Sequence, residues 1–74
     1  MAHNNYESAI KAATAAMQLV PQSSSLRSLR GVAHYRKGDL DAAINDYNEA
    51  IRLSPDFAPW YVNRGATYYR KRKR

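Results

Sequence analysis

Residues that stand 34 apart match along almost the whole chain. Pro21 and Pro55, Arg30 and Arg64, Gly31 and Gly65, and Tyr35 and Tyr69 pair at this offset, and Arg36-Lys37 recurs as Arg70-Lys71. Ala9-Ile10 recurs as Ala43-Ile44, Ala16 as Ala50 and Leu19 as Leu53. A fixed period of this length means one supersecondary unit built repeatedly, each unit unable to bury its apolar face without a neighbour. The 74 residues leave room for about two periods and for one small domain.

Inside the period the apolar spacing is helical. Leu40, Ala43, Ile44, Tyr47, Ala50 and Ile51 fall at steps of three and one, which puts them on one stripe of a helix. Tyr6, Ala9, Ile10, Ala13, Ala16 and Met17 make the same stripe one period earlier. Breakers separate the helices. Pro21 and Pro55 interrupt them, because proline lacks the N–H and clashes one turn back. Gly38 suits a left-handed stop and Asp39 a cap on the next helix, while Asn4-Asn5 and Ser23-Ser24-Ser25 hold comparable places. The pattern predicts an all-α fold of four antiparallel helices over about 5–19, 24–37, 40–53 and 58–71, with a basic tail over 72–74.

The spacing Gly31, Ala43, Tyr47, Ala50, Pro55 resembles the tetratricopeptide repeat (TPR), as do Tyr61, Gly65 and Tyr68 in the second copy and Ala9, Ala16 and Pro21 in the first. The resemblance covers about residues 4–71. It implies a TPR-like α-solenoid in which small Gly31 and Ala43 let two helices touch and Tyr47 fills the space beside them. Arg27, Arg30 and Arg64 depart from the pattern's apolar residues, His34 takes the place of the pattern's tyrosine, and Ala13 takes the place that Tyr47 holds one period later. Arginine stems can lie along a hairpin with the charged heads in water.

The phase is shifted. The helices run B, A, B, A, so residues 4–23 read as the second helix of a repeat, 24–57 as one complete repeat and 58–71 as the first helix of another. This order fits an excised, permuted or engineered unit with apolar faces open at both ends. Tyr6, Ala9, Ala13 and Ala16 on the first helix, and Trp60, Tyr61 and Tyr68 on the fourth, are therefore candidates for contact with another copy. A head-to-tail contact gives rings or filaments, a reciprocal one a two-fold dimer.

Chemistry is poorly represented. His3 and His34 are the only imidazoles, there are no cysteines, and no His/Cys/carboxylate cluster has metal-ligand spacing. Asp39 reads as a cap and Asp41 as a first-turn acid that complements the helix dipole. We expect no enzyme, no metal and no cofactor. No apolar segment approaches the roughly 20 residues of a membrane span, and the start lacks the pattern of a signal peptide, so the expected location is cytoplasmic and no membrane partner is implied.

Binding is the remaining class. Ser28, Val32, Tyr35 and Arg36 share one helix face, and Val62, Asn63, Ala66, Tyr69 and Arg70 share another. The TPR resemblance implies that these inner faces line a concave wall for a protein or peptide. Some TPR proteins hold a C-terminal carboxylate with a Lys/Asn/Arg clamp. Asn63 matches one clamp asparagine, but Ser28 and Val32 replace the lysine and the other asparagine, so clamp binding is not implied. The net charge is +6, yet five of the twelve cations are Arg70, Lys71, Arg72, Lys73 and Arg74, which leaves seven cations against six carboxylates elsewhere. Such a run offsets a helix dipole and keeps an open end soluble. The alternative is polyanion or single-stranded nucleic-acid binding by this run, with Tyr61, Tyr68 and Tyr69 stacking on bases.

Overall fold

The computed structural model describes residues 5–73; His3 and Arg74 lie outside them. Four helices follow one another: α1 (Tyr6–Leu19), α2 (Ser24–Lys37), α3 (Leu40–Leu53) and α4 (Ala58–Lys73). Among the described residues there is no strand. The predicted ends hold to within a residue except at α4. The sequence reading stops this helix at 71, but it continues through Lys73. Gly38-Asp39 stops α2, whereas Arg72-Lys73 stands one period later; both are good helix formers, and neither favours the left-handed stop.

The local chemistry sets the other boundaries. Gly38 takes φ 95°, and its N–H bonds back to the carbonyls of His34 and Tyr35. Asp39 accepts from the Ala42 N–H at 3.4 Å, and Ser23 from the Leu26 N–H at 3.1 Å, which satisfies donors that a helix start leaves free. Asn5 holds the N-cap position of α1 without a side-chain bond.

Each helix packs on the next in sequence, α2 also touches α4 lightly, and α1 reaches neither α3 nor α4. This is stacking with an offset, not closure into a bundle, and the result is a slab of 32 × 28 × 16 Å. Because α3 has helices on both sides, it supplies most of the core: Leu40, Ala43, Ile44, Tyr47 and Ala50 are buried. At Gly31 two helices approach closely. A Cβ there would stand 2.8 Å from Tyr47 Cε1 and 3.3 Å from Asp46 Cβ. Gly65, one period later, has nothing within 4 Å.

The sequence reading leaves the Arg30 head in water, and here the structure differs. Arg30 Nε and Nη2 donate to the two carboxylate oxygens of Asp46, each at 2.8 Å. Asp46 is 4% exposed, so the fork satisfies a carboxylate that burial would otherwise penalise. Hydrogen bonding to Asp46 raises the Arg30 pKa further. Arg30 Nη1 also donates to Thr14 Oγ1 at 3.0 Å, so one guanidinium ties α1, α2 and α3. The contact between a B helix and the next A helix then recurs by period. Arg30–Thr14 becomes Arg64–Asn48 at 2.8 Å, and the Lys37–Glu7 ion pair becomes Lys71–Asp41 at 2.6 Å.

Two outcomes are expected in chemical denaturation. Gly31→Ala loses about 1–2 kcal/mol, because overpacking against a buried ring outweighs the helix-propensity gain of about 1 kcal/mol, while Gly65→Ala keeps that gain; equal responses would contradict the close approach. Asp46→Ala costs about 2–3 kcal/mol, discounted from the value for a fully buried pair because Arg30 retains some water, whereas replacing both partners by apolar residues of similar volume costs less than either single change.

Candidate functional site

A groove of about 420 Å³ opens between α2 and α4. Val32, Tyr35 and Arg36 line it from α2, Asn63, Ala66 and Arg70 from α4, Tyr47 from α3 and Tyr6 from α1. The A helices present these residues because their opposite faces are spent on neighbouring helices: Trp60 and Thr67 of α4 are buried, as are Gly31 and Ala33 of α2.

Six of the nine residues assigned from sequence to the concave wall come together here. Ser28 does not: it is 6% exposed and offers no surface. Val62 and Tyr69 are exposed, at 68% and 64%, but stand off the groove lining. Tyr6, read from sequence as a self-association residue, lies in the groove. Tyr47, a packing residue in the sequence pattern, also contributes to the lining. Its signal was available, since a tyrosine between two A helices can reach the wall they share.

The groove carries guanidinium, amide and phenol groups, and its lining includes no carboxylate. Arg70 is held in place. Its Nη1 donates to the Tyr35 carbonyl at 2.7 Å, and its guanidinium lies 4.8 Å from the Tyr35 ring centroid. The carbonyl belongs to the last turn of α2, where it also accepts from the Gly38 N–H at 3.1 Å. Arg36 is exposed at the same end. Below the groove, Thr67 is fully buried and its hydroxyl donates to the Asn63 carbonyl at 2.8 Å. Burial raises the Tyr47 hydroxyl pKa, and a hydrogen bond with Thr67 offsets part of the rise.

The remaining assigned residues fall elsewhere. Ala13 and Trp60 are buried within this chain, Ala13 at 3% and Trp60 at 8% exposure, which corrects their assignment to an open face. Trp60 packs on Phe57 with centroids 4.5 Å apart. Ala9, Tyr61 and Tyr68 are exposed and Ala16 is half-buried. Through Lys73 the basic run is the end of α4 rather than a free tail. Arg70 is tied to Tyr35, Lys71 to Asp41, and Lys73 lies 5.9 Å from the Tyr69 ring centroid; Arg72 is exposed. His34 packs with Nε2 3.8 Å from Asp46. Among the described residues no group of His, Cys, Asp or Glu could hold a metal ion, and no helix is long and apolar enough to cross a membrane.

A family model described as TPR repeat matches residues 33–71, more than half of the chain. The chain belongs to the TPR family. Stress-induced-phosphoprotein 1 of Caenorhabditis elegans is 33% identical over 60 residues, which cover 81% of this chain and 19% of that protein. The chain thus spans about a fifth of the length of that relative. TPR repeats are protein-interaction repeats.

The raised Tyr47 pKa has a definite sign. Above the ordinary value of 10.0 the unfolded chain loses this proton while the folded chain keeps it, so stability falls as pH rises through the folded value. Denaturation midpoints followed from pH 8 to about 11 are expected to fall less steeply for Tyr47→Phe than for the wild type; parallel curves would contradict the assignment.

Proposed function

We propose that this TPR chain is a non-catalytic interaction module that holds an extended peptide or partner helix in the groove between α2 and α4. The observation that carries the reading is the convergence of Arg36, Asn63 and Tyr6 on one open wall. Tyrosine and arginine are the residue types that concentrate binding energy at interfaces, and the Asn63 amide suits a peptide backbone because it both donates and accepts. The lack of a lining carboxylate favours ligands that bring negative charge or carbonyl oxygens.

A second property is supported by Tyr61 and Tyr68, which stand 42% and 47% exposed on α4: copies of the chain associate through the outer faces of α1 and α4. The basic run contributes less to a separate polyanion site, since Arg70 and Lys71 already have partners within the chain.

Selection of a displayed peptide library against the full chain, followed by fluorescence anisotropy of a selected peptide, tests the groove. Arg36→Glu and Asn63→Ala are each expected to weaken binding at least about tenfold, a loss of about 1.4 kcal/mol, with thermal unfolding unchanged. Selected peptides that bind both variants as tightly as the wild type would place the interaction elsewhere.

A further inference from the structure

Two helix faces one period apart share a pattern and differ in cover. On α2, Arg27, Gly31 and His34 face α3. Arg27 lies near enough to Glu49 to help lower its carboxyl pKa, Gly31 meets Tyr47, and His34 approaches Asp46. On α4 the same positions are Tyr61, Gly65 and Tyr68, all exposed, with open space at Gly65. Two polar side chains have become tyrosines on the face that lacks cover.

The covering helix shows the inverse exchange. On α3, Ala43, Asp46, Tyr47 and Ala50 are buried, and Asp46 and Tyr47 stand against Gly31. One period earlier on α1 these positions are Ala9, Ala12, Ala13 and Ala16. Ala13 is covered by this chain, but Ala9 and Ala12 are exposed. Bulk has moved from the B helix to the A helix: α1 is small where α3 is large, and α4 is large where α2 is polar.

We propose that α1 of a second copy packs antiparallel on α4 in the register that α3 keeps on α2, with Gly65 set against Ala12 of the partner subunit. This rests on the self-association reading above and fixes its geometry. The alanines let Tyr61 and Tyr68 reach the partner's backbone, as small residues do where helices approach closely. Charge agrees with this register, since it brings Glu7 of the partner subunit, exposed and already paired with Lys37 of its own copy, toward the basic end of α4, Arg70 to Lys73. The contact is heterologous, so every assembly keeps one free α1 face and one free α4 face at its two ends and grows head to tail. One helix pair buries less than the roughly 1,200 Å² at which ordinary specific complexes begin, which places this contact among weak, concentration-dependent ones.

Sedimentation of the full chain between roughly 10 and 500 µM, with circular dichroism to check folding, tests the proposal. The wild-type mass is expected to climb above 8.4 kDa with concentration. Ala12→Arg blocks the α1 face and Gly65→Arg the α4 face, both at exposed positions; each variant alone is expected to be monomeric. Mixed in equal amounts they retain one complementary pair of faces and are expected to form a dimer of twice 8.4 kDa that grows no further. A wild-type mass constant at 8.4 kDa overturns self-association itself. Self-association that survives in either variant, or a mixture that stays monomeric, overturns this register while leaving self-association standing.

Discussion

Tyr47 is the wedge on which the rest of the array depends. Its ring lies against the bare backbone of Gly31 on one side, its hydroxyl meets Thr67 of α4 on the other, and it is almost fully buried between them. The ring has to be large enough to span α2 and α4, and position 31 has to be small enough to admit it. Close packing leaves no slack at such a point. Because α2 and α4 touch each other only lightly, the spacing between the two walls of the groove is set through this one side chain.

Polar contacts then fix the register that the wedge permits. The Arg30–Asp46 fork is directional and buried, and through Thr14 it extends to α1. An apolar residue at position 30 would fill the same space without choosing a rotation of α3 about its axis. The exposed pairs that recur by period, Lys37–Glu7 and Lys71–Asp41, contribute little stability individually because water screens them. Their recurrence shows that the two B-to-A interfaces have the same geometry, which is what lets the A helices line up as one wall.

Function follows from what these contacts leave over. Trp60 and Thr67 turn one side of α4 toward α3, so Asn63, Ala66 and Arg70 come to face α2 across the groove. Arg70 serves the fold and the groove together: it donates a further bond to the Tyr35 carbonyl at the capped end of α2 and lines the groove with a cation. The opposite face of α4, with Tyr61, Gly65 and Tyr68, stays open, although the Tyr61 hydroxyl donates to the Pro55 carbonyl at 2.9 Å.

By itself the sequence determined the period, the four helices and their turns, because proline, Gly38 and the capping side chains act locally and apolar spacing reports the buried stripe of each helix. Six of the residues it set on shared helix faces line one groove. Only the tertiary structure decided that Ser28 is buried, that Tyr6 reaches the groove, that Trp60 and Ala13 are covered, and that the Arg30 head is paired rather than solvated. These depend on which neighbour a helix face meets. Arg30 and Asp46 are 16 residues apart on different helices, a separation that carries no periodic signal, so the pairing appears only once α2 and α3 have packed. The length of α4 was likewise hidden by the basic run, since a cluster of cations reads as a solvated tail until a helix and its carbonyl partners are seen to hold it.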